Sequence, residues 1–546
     1  VNLKFFRRSL LLTACLCLSL SVGNSVAGPN ETSVADKPET LAAIRSGAQL
    51  ERARKWIDAI EHYQKALENW PENKKLTYGL RRSKIHFAID RRYSDASYEQ
   101  SLIRLSRSDA LDLFDEILSK IRSSYVDPIS TTSYVAHGTE SLYLALGNDK
   151  FIKRNLSGVH SRRIQYIRTV LREKFWNKPI RQQIQARDTV NEVCNLAVDQ
   201  LGISPTAVIL EYTFGGCNAL DDYSSYLTPN RLEDLYGNIE GEFVGLGIEM
   251  KAEVDKGLLL IDVLPNSPAE LGGLQSGDYI VSVDQQDCRR LSADDAARLL
   301  RGPSGSRVAL DVERPDTNQH LQFQLQRQAV LVKSIPQATL ISGSDRVGYI
   351  KMTGFQKSTP DELDAALNKL QQQNMRALIW DLRGNPGGLL TAAVEVLDRF
   401  IPEGTLVSTR GRTSDQNWTY SAHRIGTLNV PLILLVDGES ASASEIVAGA
   451  IHDHRRGKIV GRKTYGKWSV QSIFPSSRGT GLRLTTARFY SPKGTTLGKI
   501  GFKPDIVVDA PKTKTSFYRG LTPAELAADR DVQSALNILR AQYSLK

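Results

Sequence analysis

Apolar side chains recur at helical spacing from about residue 40 to 105. Trp56, Ala59, Ile60, Tyr63, Ala66 and Leu67 line one face, and Pro71 ends the run. The helical period continues from about 108 to 235, where Leu111, Phe114, Ile117, Leu118 and Ile121 form a stripe that stops at Tyr125-Val126-Asp127-Pro128. A basic stretch from Lys150 to Arg187 interrupts the pattern in the manner of an insertion, and Leu220 to Pro229 reads as a turn-rich joint. Near 240 the character changes to short strands separated by glycine turns, closing near Arg327. From 345 to 510 strands alternate with helices. Ala377 to Leu382 is a continuous apolar run, as expected of a strand buried on both faces of a parallel sheet. Arg383-Gly384-Asn385-Pro386-Gly387-Gly388 breaks it, and Leu389 to Phe400 is amphipathic and helical. Val430 to Val436 repeats the scheme, followed by Asp437-Gly438-Glu439 and a second helix from about Ser442. The alternation predicts an α/β core, and 546 residues exceed what one hydrophobic core organises.

Two of these regions resemble known modules. The helical run before 105 resembles a tetratricopeptide repeat, with Tyr93, Ala96 and Leu102 as a weak echo; two hairpins are fewer than a solenoid needs. It reads equally as an amphipathic appendage or as a docking module for an adaptor protein. The strand-rich segment opens with Gly241-Glu242-Phe243-Val244-Gly245-Leu246-Gly247-Ile248. It continues through Val263-Leu264-Pro265-Asn266-Ser267-Pro268-Ala269 and Gly272 to Asp278, with a short helix at Ala293 to Leu300. This resembles a PDZ domain of the bacterial arrangement. The resemblance implies that the loop of Gly245, Leu246, Gly247 and Ile248 presents backbone N–H groups to the terminal carboxylate of a protein tail, which adds as a strand.

Charge and cysteine content narrow the function. The chain has 70 Lys and Arg against 60 Asp and Glu, a net charge of +10, yet the basic residues are not interleaved with aromatics in a block. That argues against nucleic acid and leaves room for peripheral contact with an anionic membrane surface. Lys4, Arg7 and Arg8 precede an apolar stretch from Ser9 to Val22 and small residues at Ser25-Val26-Ala27, the pattern of a cleaved export signal too short to span a bilayer. Leu12-Thr13-Ala14-Cys15 also resembles a lipoprotein box, but cleavage there would leave Leu16, Leu18 and Leu20 at the new N-terminus, so soluble export is the reading carried forward. The expected location is the periplasm or another extracytoplasmic space. Removal of 1–27 would leave Cys194, Cys217 and Cys288, an odd number without metal spacing.

Chemistry concentrates at the second strand–turn–helix junction. Ser440-Ala441-Ser442-Ala443-Ser444-Glu445 offers three serines at a helix start, and spacing alone does not choose among them. No Gly-x-Ser-x-Gly elbow exists. His452 and His454, two apart on a helix, share no face and suggest surface residues in place of a metal site; no cofactor is expected. A serine still needs a base. Lysine serves if burial lowers its pKa from ~10.4 towards ~7–8, at a cost of about 3–5 kcal/mol. Thr464-Tyr465-Gly466-Lys467-Trp468-Ser469-Val470-Gln471, if extended, puts Lys467, Ser469 and Gln471 on one face. Gly461 to Lys467 also fits the Gly-x-x-x-x-Gly-Lys phosphate loop, but Trp468 stands where Ser or Thr should bind magnesium, and the following residues read as strand.

Asp437 through Ala450, Asp453, Val460-Gly461, Gly466-Lys467 and Gln471 together resemble the catalytic block of the C-terminal processing peptidases, or tail-specific proteases. That family separates its serine and lysine by 25 residues, as Ser442 and Lys467 are separated here. The resemblance implies Ser442 as nucleophile, Lys467 as general base, Gln471 as the third residue, and the N–H groups of Gly388 and Ala443 as oxyanion hole. It further implies a serine endopeptidase acting near the C-termini of proteins, with a ClpP/crotonase-like α/β core into which the PDZ domain is inserted. The expected order is a signal peptide over 1–27, a tetratricopeptide-like appendage over 28–107 and a helical part of the protease with the basic insertion over 108–239. The PDZ domain over 240–328, the core over 329–512 and a helical tail over 513–546 follow. The family has Gly where this chain has Trp468. A chain disabled at that position would be a scaffold that binds protein tails without cutting them.

Overall fold

A computed structural model describes residues 37–253, 255–291, 293–341, 345–423, 426–496, 498–509 and 521–543. The expected export signal lies outside the described residues. The chain divides into two compact units. One joins 37–89 with Ile129–Ala219, and the other joins Asp90–Pro128 with residues from Leu220 onward.

The first unit is helical. Pro38–Arg52, Trp56–Asn69 and most of Lys74–Arg92 form the amphipathic helices read from the sequence. Ala59, Tyr63, Ala66 and Leu76 make their core, and the Tyr63 ring fits only because Gly47 and Gly79 lack side chains: a Cβ there would lie 2.3 and 2.4 Å from the ring. Thr131–Ala145, Asp149–Asn155, Ser161–Val170, Gln183–Leu201 and Pro205–Gly216 complete the unit. The compact units therefore cut across the sequence boundary near 107. The physical reason is a long-range link that no local pattern reveals: Arg81 donates to the fully buried Glu140 carboxylate at 3.0 Å, and the buried side chains of Asn148 and His86 meet at 3.5 Å. The basic stretch is folded into this unit through Ile164, Ile167, Val170, Leu171, Phe175 and Trp176.

The second unit contains the expected α/β core. Its six-stranded sheet runs in the order Gln337–Leu340, Val347–Lys351, Ala377–Asp381, Leu432–Val436, Lys458–Gly461, Ile506–Val507, antiparallel at the first pair and parallel thereafter. Ala377–Asp381 and Leu432–Val436 are buried at every position, as their unbroken apolar runs require. Helices Leu390–Leu397 and Ala443–Asp453 pack over the sheet with Trp380, Phe400 and Trp468. A second, antiparallel sheet joins Ser225–Leu227, Gly481–Tyr490, Gly404–Gly411 and Trp418–Ala422, with Ser469–Pro475 on the Gly481–Tyr490 strand. The PDZ region has its own sheet, Ile248–Glu253, Gly257–Val263, Tyr279–Val283, Arg307–Arg314 and Gln319–Gln326, around a core of Leu258, Leu260, Ile280, Val308, Leu310 and Val312. The ribbon of Glu242–Gly245 with Gln328–Leu331 marks where this region leaves and rejoins the chain.

Candidate active site

The parallel strand Leu432–Val436 runs into a turn organised by Asp437. One carboxylate oxygen accepts from the backbone N–H groups of Gly384 at 2.9 Å, Glu439 at 3.1 Å and Ser440 at 3.1 Å. The three serines differ in exposure and in hydroxyl partners. Ser440 is fully buried and donates its hydroxyl to the Leu382 carbonyl at 2.8 Å; Ser444, also fully buried, donates to the Asn385 carbonyl at 2.9 Å. Ser442 alone of the three is partly open to solvent. It caps the helix Ala443–Asp453 with φ 56° and ψ −113°, a conformation that costs an L-residue of order 1–3 kcal/mol and persists only where neighbours enforce it.

The Gly turn supplies that enforcement. Asn385, fully buried, donates its amide to the Met352 carbonyl at 3.0 Å and accepts from Gly387 N–H at 2.8 Å, while its backbone carbonyl accepts from Ala441 N–H at 3.0 Å. Gly387, at φ 100°, lies so close that a Cβ would sit 2.7 Å from the Cβ of Ser442 and 2.9 Å from the amide nitrogen of Ala443. Phe355 N–H donates to the Gly387 carbonyl at 3.0 Å and Leu389 N–H donates to the Phe355 carbonyl at 2.7 Å. This bridge turns the Gly388 N–H to the opposite side, and Gly388 is exposed. The Ala443 N–H is in the first turn of its helix, where N–H groups have no intrahelical partner. Neither N–H meets an acceptor among the described residues.

One residue joins this loop to the lysine. Glu445 is fully buried, and its Oε2 accepts from both Ser442 N–H at 2.9 Å and Lys467 N–H at 2.8 Å. Its Oε1 accepts from the Thr464 hydroxyl at 2.6 Å and Gly466 N–H at 2.8 Å. The backbones of Ser442 and Lys467 thus hang on a single carboxylate. In the sequence Glu445 was only a motif neighbour, although Ser-x-x-Glu at a helix start signals this capping geometry. The same bonds remove the phosphate-loop reading, because the N–H groups that would cradle phosphate face a carboxylate, and the strand Ser469–Pro475 follows.

The Lys467 ammonium lies 4.7 Å from the centre of the Tyr223 ring. Burial lowers its pKa, the Arg483 charge lowers it further, and Asp221 and Glu445 oppose the shift. Tyr223, Asp221 and Arg483 were not singled out from the sequence. The first two come from the turn-rich joint, where Asp221 accepts from the N–H groups of Tyr223 at 3.1 Å and Ser224 at 2.9 Å. Arg483 comes from the strand Gly481–Tyr490. Trp468 is 3% exposed, stacks on Phe489 with ring centres 4.7 Å apart, and has no positive φ. Gln471 follows a bulge between Val470 and Gln471, and its amide donates to the Ser469 hydroxyl at 2.9 Å and to the Thr485 hydroxyl at 3.3 Å. Lys467 precedes the strand, so simple alternation does not extend from it to Gln471.

A buried ionic cluster anchors the other side of the Gly turn. Arg383 donates to Asp381 at 2.7 Å, to Asp529 at 2.8 Å and to Asp531 at 2.7 Å, and Arg462 also donates to Asp531 at 2.9 Å. Burial alone would raise the pKa of Asp381, but Arg383 and Lys351 hold its carboxyl below the usual carboxylate range. His452 and His454 have separate partners, Asp453 at 3.0 Å and the Thr405 carbonyl at 2.7 Å. In the PDZ region Leu246 is buried, and its carbonyl accepts from Ala269 N–H at 2.9 Å. Gly247, at φ 78°, would clash through a Cβ 2.2 Å from Ser267 Cβ. Ile248–Glu253 is an edge strand of its sheet, with helix Ala293–Leu300 beside it.

Comparison with known proteins gives a consistent result. The family model described as Peptidase family S41 matches residues 346–508, and that of the PDZ domain matches residues 261–314. The carboxy-terminal-processing protease of Bartonella bacilliformis is 37% identical over 299 residues, covering 54% of this chain and 68% of that protein. The carboxyl-terminal-processing protease of Synechocystis is 33% identical over 375 residues, covering 68% and 80%. Among solved structures, the photosystem II D1 C-terminal processing protease is 26% identical and covers 74% of this chain and 95% of that one, with a TM-score of 0.39.

Proposed function

The chain belongs to peptidase family S41, among the carboxy-terminal-processing proteases, and on that premise we propose that Ser442 and Lys467 are its catalytic dyad. Neutral Lys467 takes the hydroxyl proton as Ser442 Oγ attacks the scissile carbonyl carbon. The carbonyl π electrons move to oxygen, and the Gly388 and Ala443 N–H groups donate to that oxyanion; each such donor is typically worth ~3–4 kcal/mol in the transition state. Collapse breaks the C–N bond, and the Lys467 ammonium returns its proton to the leaving amine. Water then attacks the acyl-serine, its proton passing to Lys467 and on to Ser442 Oγ as the acyl bond breaks. Gln471 is assigned to the lysine's side of the site. The loop from Gly245 to Ile248 and the free edge of Ile248–Glu253 are assigned to the substrate's C-terminal tail. The pattern of residues 1–27 assigns the protein to an extracytoplasmic compartment.

The observation that carries the dyad is the Glu445 carboxylate shared by the two backbones. Full-length Ser442→Ala, Lys467→Ala and the double variant, assayed on an unfolded protein substrate, test it. Each single variant is expected to lose turnover by up to on the order of 10⁶, with the double no worse, because the two act as one unit. Turnover retained in Ser442→Ala, or additive losses, would refute the assignment.

A further inference from the structure

The helical unit carries almost all of the chain's net charge. Its segments 37–89 and 129–219 hold 22 Lys and Arg against 13 Asp and Glu, whereas 90–128 and 220–546 together hold 45 of each sign. Most of the excess sits in one stretch: from Lys150 to Arg187 there are eleven basic residues and one acid, Glu173. The helix Ser161–Val170 shows how this charge is displayed. Ile164, Ile167 and Val170 are buried, and Leu171, Phe175 and Trp176 continue the buried stripe. Arg162, Arg163 and Tyr166 are exposed. With spacings of three and four they share the outer face, the tyrosine beside both guanidinium groups. Arg172, Lys174 and Arg181 are exposed as well. Two apolar bodies of the same segment are exposed too, Tyr166 at 52% and Ile184 at 58%.

Like charge gathered in one segment repels itself, so its natural complement is an extended anionic surface. Two such surfaces differ in what they ask of the residues between the charges. Single-stranded nucleic acid is held by successive aromatic platforms, and the exposed outer face here offers one tyrosine and one isoleucine. Lipid headgroups take basic residues flanking a phenol and an aliphatic chain, which lodge at the boundary between headgroup and acyl region. We propose that the outer face of the segment from Lys150 to Arg187 docks the protease peripherally onto anionic phospholipid headgroups. This binding is separate from catalysis and does not depend on the dyad assignment.

Flotation of the full chain with phosphatidylglycerol–phosphatidylcholine vesicles, against pure phosphatidylcholine vesicles, tests it. The protein is expected to float with the anionic vesicles at low salt, to stay behind with the neutral ones, and to be released at high salt. The variant R162E/R163E/R172E is expected to bind at least about tenfold more weakly while cutting a soluble unfolded substrate at the unsubstituted rate. Tyr166→Trp, which leaves the charge untouched, is expected to shift its emission to the blue on anionic vesicles. Failure to float at low salt, undiminished binding by the triple variant, or an unshifted Trp emission would overturn the proposal. Displacement from the vesicles by single-stranded DNA at lower anion concentration than lipid would overturn it in favour of a nucleic-acid surface.

Discussion

Among single residues, Lys467 and its neighbour Trp468 bear most on the proposed base. Burial and the Arg483 charge lower the Lys467 pKa, so activity rises as pH climbs through that lowered value and levels off before the range of an ordinary lysine, ~10.4. The same shift fixes a stability effect. Below the folded-state pKa both states carry the proton, and the folded state bears the burial penalty in full. Between the folded and unfolded values the unfolded chain binds more protons, so stability rises with pH until ~10.4. Lys467→Met is therefore expected to melt higher than the unsubstituted protein at neutral pH, with the margin shrinking through that window; thermal melts over a pH series check it, and a lower melting temperature at neutral pH would contradict it. Trp468 is buried on Phe489 and has no positive φ, so the strain of a left-handed conformation does not arise there. Trp468→Gly is expected to leave turnover unchanged or lower it, because a large apolar contact is lost. A tenfold gain on an unfolded substrate would mean instead that the tryptophan disables the site. The candidates that the sequence and its family resemblance offer, Ser442, Ala443, Gly388 and Lys467, sit in or beside two motif segments. Tyr223, Asp221 and Arg483 reach the lysine from a turn and a strand far away in the chain, and only tertiary structure brings them there.

At the level of elements, the candidate nucleophile and oxyanion donors come from two strand–turn–helix units on adjacent parallel strands, and Lys467 from the loop after a third strand, Lys458–Gly461. Continuous apolar runs announced Ala377–Asp381 and Leu432–Val436, since a strand buried on both faces has no polar alternation. The departure at Gln471 also has a local cause. The bulge after Val470 shifts the register, and a period of two does not survive a bulge. The Gly turn holds Ser442 in its strained conformation through a contact that tolerates no side chain. Gly387→Ala is expected to cut kcat by about 10²-fold, the usual cost of displacing a reacting group by about 1 Å, with KM for the substrate tail little changed and the fold intact by circular dichroism. A kcat within twofold of the unsubstituted protein would show that the turn does not set the nucleophile's geometry.

At the scale of the whole molecule, order along the chain and grouping in space diverge. The PDZ region and the α/β core appear in the sequence as blocks, because each is built mainly from segments near one another in the chain. The helical unit does not, since 37–89 and 129–219 are joined through pairs such as Arg81 with Glu140, 59 residues apart. A period-based reading divides the helices near 107, whereas the fold groups 37–89 with 129–219 and places 90–128 in the other unit. In the proposed mechanism the chain cuts proteins through an acyl group on Ser442. Full-length protein mixed with an activated ester of a peptide, quenched in acid during turnover and mapped by tandem mass spectrometry, tests that claim most directly. The account predicts the acyl mass on Ser442 and on neither Ser440 nor Ser444, whose hydroxyls are committed to backbone carbonyls; an adduct on either of those serines, or rapid turnover with no acyl-serine, would contradict it.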